Sequence, residues 1–173
     1  ALLIEARARD SKDSIPAPVW LAKRAEGSLP FLLAIPENTP LSNQELSTLA
    51  GVLSKPFSAD AVTDDKPDMA DCTASLFVMT TEGFRYTLSL KPHAKNRDAA
   101  YATLQIEFKP EIIKRLSNET DDEFAARTAS LAMRYDYENR YYGNEVFIVP
   151  SKLIGLIRQV PAKQQTKSQP AAK

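Results

Sequence analysis

The stretch Ala74-Ser-Leu-Phe-Val-Met79, followed by Thr80-Thr-Glu-Gly83 and Phe84-Arg-Tyr-Thr-Leu-Ser-Leu-Lys91, decides the fold. In its second half Phe84, Tyr86, Leu88 and Leu90 are apolar, and Arg85, Thr87, Ser89 and Lys91 between them are polar. Side chains of a strand alternate between two faces, so this pattern builds a strand with one buried face, and the run ending in Gly83 turns a hairpin. After a polar loop through His93 and Asn96, residues 101–108 alternate again, with Ala102, Leu104, Ile106 and Phe108 on one side. That is a third, adjacent strand.

Working upstream, residues 57–72 carry Asp60, Asp64, Asp65, Asp68 and Asp71 around Pro67, a composition that predicts an irregular, solvated connection. Before it, Ser42 and Glu45 form a capping box, and Leu46, Leu49, Ala50 and Leu53 follow at helical spacing until Pro56. Residues 2–8 and 18–25 read as short strands joined by a loop holding Pro16 and Pro18, with Trp20 as an early core anchor and residues 30–35 as a further apolar run.

Downstream, Pro110 with Ile112, Ile113 and Leu116 predicts a short helix. A longer one follows, opened by the capping box Thr120/Glu123, with Asp121 and Asp122 at the positive end of its dipole. Phe124, Thr128, Leu131 and Tyr135 share one face, and Gly143 ends it. Residues 145–149 make a last strand, and Ser151 starts a short helix with Leu153, Ile154 and Ile157 inward. Helices set among antiparallel strands predict an α+β class, a mainly antiparallel curved sheet with helices packed on one face. Residues 1–160 form one domain in this reading, and residues 161–173, without a large apolar side chain, a disordered tail.

Composition narrows the function. With 22 basic and 22 acidic residues the net charge is zero, which argues against a surface built to grip nucleic acid or an anionic membrane. Hydrophobic residues make up 43 %, enough for a packed core. Five glycines write neither a phosphate loop nor a dinucleotide fingerprint, and one cysteine, Cys72, excludes a multi-cysteine zinc site. No apolar run reaches the roughly 20 residues that span a bilayer. The chain opens on Ala1 rather than Met, so the expectation is that a leader or anchor was removed, and membrane attachment would run only through that segment.

Four groups of residues could carry chemistry. The segment Asp60–Asp71 offers hard oxygen ligands for Ca²⁺ or Mg²⁺ and makes a metal-dependent hydrolase the alternative reading, although its spacing lacks the glycine and terminal Glu of an EF-hand loop. His93 and Cys72 could pair as base and nucleophile, yet stand in no recognisable motif. Lys91, His93, Lys95 and Arg97 could meet phosphate; a solvated loop explains them as well. Tyr135, Tyr137, Tyr141 and Tyr142, interleaved with Arg134 and Arg140, concentrate the residue types that carry binding energy at interfaces. Tyr135, Tyr137, Arg140, Tyr141 and Tyr142 are therefore the candidate partner-binding site, half of them expected to face the core. No catalytic residue, metal ligand or cofactor is assigned.

Several segments taken together carry a resemblance: the Trp20 strand, the Leu-rich helix at 43–54, the run Phe57-Ser-Ala-Asp-Ala-Val-Thr-Asp-Asp65, the hairpin Thr80–Leu88, the acid-started helix Thr120–Arg127, and Glu145-Val-Phe-Ile-Val-Pro-Ser-Lys-Leu153. Over residues 1–158 this resembles the bacterial domain-of-unknown-function family 4340. The resemblance implies a cell-envelope protein, commonly anchored at its N-terminus, in some cases encoded beside gliding-motility-type ABC transporter subunits. The expectation is a non-enzymatic, periplasmic-side binding or scaffolding module whose partners are envelope proteins such as ABC-type transporter components. A self-associating, pilus-type structural subunit is the other non-enzymatic reading.

Overall fold

The computed structural model describes residues 3–9, 17–23, 32–35, 39–40 and 62–158. Their strands are β1 (Leu3–Ala8), β2 (Ala17–Lys23), β3 (Leu32–Ile35), β4 (Thr39–Pro40), β5 (Ala74–Met79), β6 (Phe84–Pro92), β7 (Ala99–Phe108) and β8 (Phe147–Pro150). All eight join one sheet in the order β4-β3-β2-β1-β5-β6-β7-β8, every pair antiparallel. Among the described residues two α-helices pack with it, α1 (Asp121–Tyr142) and α2 (Lys152–Arg158). The α+β class with a mainly antiparallel sheet and helices on one face is what the sequence predicts. The helix expected at 43–54 and the tail at 161–173 lie outside the described residues, as does the Trp20 side chain.

Register explains the core. Ile4, Val78, Tyr86 and Ile106 pair across four strands; the next rows are Ala6, Leu76, Leu88 and Leu104, then Ala8, Ala74, Leu90, Ala102 and Phe147. These rows occupy one face, and nearly all their members are buried. Helix α2 seals the β1–β5 end with Ile157, helped by Leu153 and Ile154. The opposite face holds rows such as Arg7, Ser75, Ser89 and Thr103, with Arg85 paired to Glu107 at 3.1 Å and lying over the Phe77 ring.

The hairpin turn is built as its sequence demands. Gly83 has φ +83°, its N–H bonds to Thr80 O, and the Thr80 N–H bonds to Phe84 O, a tight turn closed by a left-handed glycine. Gly83 O in turn accepts from the Lys109 amide, which ties the turn to the end of β7.

One expectation is corrected and another is refined. Residues 110–116 do not form a helix: Pro110–Ile112 is a single 3₁₀ turn, Ile113 is extended and buried, and Ile112 and Leu116 are exposed. The apolar triplet marks one inward side chain, not a stripe. The described part of the acidic connection, residues 62–73, is irregular with no buried residue, as its composition predicts, and it is fastened to the sheet as a strap. Val62 bridges to Phe147 at the β8 edge, Tyr101 on β7 donates to Asp65, Lys91 on β6 donates to Asp68 O, and Thr73 bonds Leu90 O before β5 begins. It thus crosses one end of the polar face.

Candidate functional site

Helix α1 starts where its capping box puts it. The Thr120 hydroxyl accepts from the Glu123 N–H, and the Glu123 carboxylate accepts from the Thr120 N–H, satisfying end groups the helix itself leaves open. Those bonds to Thr120 hold the Glu123 carboxyl below its ordinary range. Its 22 residues lie along β7 with not one of them fully buried. Tertiary packing gives most helices their stability, so α1 depends on a few specific attachments.

Those attachments form an aromatic and ionic clasp on the hairpin. Phe84 stacks on Tyr86, packs against Phe108, and is covered by the Arg134 guanidinium 4.8 Å from its ring centre; Tyr135 stacks on Phe108. Arg134 also pairs with Glu138 at 2.7 Å and Glu82 at 3.2 Å, and the Tyr86 hydroxyl donates to Glu138 at 2.9 Å. Burial, followed by that bond to Glu138, pushes the Tyr86 phenol well above the usual tyrosine range. At the other end of the helix Tyr142 packs against Phe147 of the core. Burial first, and then Tyr141 beside it, raises the Tyr142 phenol as well.

The tyrosine cluster is therefore divided. Tyr135 and Tyr142 turn inward and act as docking pegs. Tyr137 is 70 % exposed and Tyr141 39 %, their rings stacked with centroids 6.4 Å apart, and Tyr141 meets Tyr142 edge-on at 4.6 Å. Arg140 stands exposed between them. Sequence reasoning missed Met133, one turn before Tyr137 and 73 % exposed. Helical spacing was the available signal, since Met133, Tyr137 and Arg140 lie opposite Phe124, Leu131 and Tyr135. The outward ridge is thus Met133, Tyr137, Arg140 and Tyr141, preceded by exposed Ala125, Ala126 and Ala129.

The other candidates are dispersed. Asp68 caps the 3₁₀ turn Met69–Asp71 through the Ala70 amide, Asp71 lies 3.6 Å from Arg9, and Asp65 accepts from Tyr101. Among the described residues no three His, Cys, Asp or Glu side chains converge as a metal site; Asp60 lies outside them. His93 stacks on Tyr101 at 4.5 Å, and its Nδ1 accepts the amides of Lys95 and Asn96, so that nitrogen serves the loop rather than Cys72. Lys91 and His93 are engaged by the strap and by Tyr101, while Lys95 and Arg97 of the basic loop are exposed. Among the described residues no helix is long and apolar enough to cross a membrane. Against the background of this geometry, no protein-family model, no curated protein and no solved structure matches the chain.

Proposed function

We propose that the chain is a non-enzymatic binding or scaffolding module of the bacterial cell envelope. It works on the periplasmic side as an accessory of a transport or surface-apparatus complex, with ABC-type components among its protein partners. The envelope setting rests on the resemblance to the family 4340 domains. The binding role rests on one observation: a helix that buries no residue completely presents Met133 and Tyr137, each about seven-tenths exposed, beside Arg140 and Tyr141. Large aromatics left in water on an otherwise polar surface give a partner apolar area to cover, and Arg140 gives it a charged contact at the rim.

The test is a photo-crosslinking residue placed at Tyr137 in cells, with a control at Gln105, which is exposed on the opposite face of the sheet. Adducts with envelope proteins from position 137 and none from position 105 support the reading. Equal adducts at both, or none at 137, overturn it.

A further inference from the structure

We infer that the partner of the α1 ridge is a second copy of this chain, docked antiparallel through the same ridge. The inference rests on the ridge being a binding surface and names what covers it. At about 3.6 residues per turn, Asp122, Ala126, Ala129, Met133, Tyr137 and Arg140 fall on one outward stripe that runs roughly 27 Å. Read along that stripe, the side chains pass from acidic, through small, to large, to basic.

Such a gradient is complementary to its own reverse. A two-fold axis crossing the helix at Leu131 sets Asp122 against Arg140 of the second copy and Ala129 against Met133, and it brings Tyr137 beside Ala126, one residue's rise from level. Each alanine leaves the space that a tyrosine or methionine fills, so the helix backbones can approach closely. Among the described residues neither Asp122 nor Arg140 has an ion partner, although Arg134, Arg127 and Arg115 are all paired. Asp136 falls level with Ala126 of the second copy and not with an acid. Antiparallel packing also places each helix's negative end beside the other's positive end. An isologous contact of this kind closes at two copies, and the zero net charge of the chain adds no long-range repulsion between them. A foreign partner would have to match the gradient independently, whereas the chain itself matches it by symmetry.

Sedimentation equilibrium of the full chain over a range of concentrations tests the inference. The expected result is a monomer–dimer equilibrium whose dissociation constant rises roughly tenfold or more in Asp122→Arg and in Arg140→Asp, because each puts two like-charged contacts in place of two ion pairs. Mixed in equal amounts, those two variants restore association, since every contact then joins opposite charges. This restoration excludes misfolding as the cause of the single-variant losses. A chain monomeric at every concentration, or a mixture no tighter than its components, overturns the inference. If position 137 still crosslinks to other envelope proteins while the chain is monomeric, the binding reading survives and the second copy falls. If neither association nor adducts occur, both fall.

Discussion

Gly83 shows how much of the fold can depend on one residue. Its left-handed backbone is costly for any side chain with a Cβ, and a Cβ placed there would stand 2.6 Å from Lys109 O and 3.2 Å from Ile113 Cγ1. The two costs can be separated. Gly83→Ala is expected to destabilise the protein by about 2 kcal/mol or more in urea unfolding, since the left-handed conformation alone costs about 1–2 kcal/mol. Asn tolerates that conformation better than Ala, but it carries the same Cβ. Gly83→Asn is therefore expected to recover little; recovery to near wild-type stability would show that the Lys109 contact gives way easily. The turn was legible in the sequence because its chemistry is local. The tie from Gly83 O to the Lys109 amide, and the seat for Ile113 beneath the turn, were not. They join residues more than twenty positions apart, and Pro110, Ile112, Ile113 and Leu116 spell a helical stripe as readily as one 3₁₀ turn.

At the scale of elements, the segment leading into α1 is held by one carboxylate. Glu119 accepts two bonds from the Arg127 guanidinium, at 2.6 and 2.8 Å, and one from the Leu116 amide at 3.0 Å, while Arg127 also donates to Lys114 O. The bond to Arg127 dominates and brings the Glu119 carboxyl from its ordinary 4.5 down to about 2. Because the folded value lies below the unfolded one, the ionised carboxylate stabilises the fold fully above about pH 4.5. That contribution declines as the pH falls towards 2, where Glu119 protonates in the folded protein too. Glu119→Gln is thus expected to melt below wild type at pH 7 and together with it near pH 2. Melts followed by circular dichroism at both values check this, and a gap that stays constant with pH would contradict it. The capping box was readable because Thr120 and Glu123 are three residues apart. The strap was not, because its aspartates find partners far along the chain: Asp65 meets Tyr101 and Asp71 meets Arg9. Local composition says that a run of acids prefers water, and only the folded chain reveals which cations and hydroxyls take water's place.

For the molecule as a whole, the contrast between sheet and helix predicts two levels of stability. Rows of Ile4, Ala6, Leu76, Val78, Leu88, Leu90, Ala102 and Phe147 bury a continuous apolar layer, and Phe147 at 0 % exposure also meets Tyr142 and bridges to Val62 of the strap. Helix α1 has no fully buried residue and is held by Tyr135 on Phe108, by Tyr142, and by the bonds among Tyr86, Arg134, Glu138 and Glu82. Elements with few buried apolar contacts open before the rest, so the amides of α1 should exchange with solvent through an opening that leaves β5, β6 and β7 paired. The clasp and the core then respond differently to substitution. Tyr86→Phe removes two bonds, the one its hydroxyl donates to Glu138 and the one it accepts from Arg134, while Glu138 and Arg134 keep each other; this costs about 1–2 kcal/mol and should speed exchange in α1 with β5 unchanged. Phe147→Ala empties the centre of the shared core, costs about 3–5 kcal/mol, and should speed exchange in β5, β7 and α1 alike. Hydrogen exchange read by mass spectrometry distinguishes the two patterns. Equal protection of α1 and the central strands in the wild-type chain would mean that the helix is part of the core and not an attachment to it.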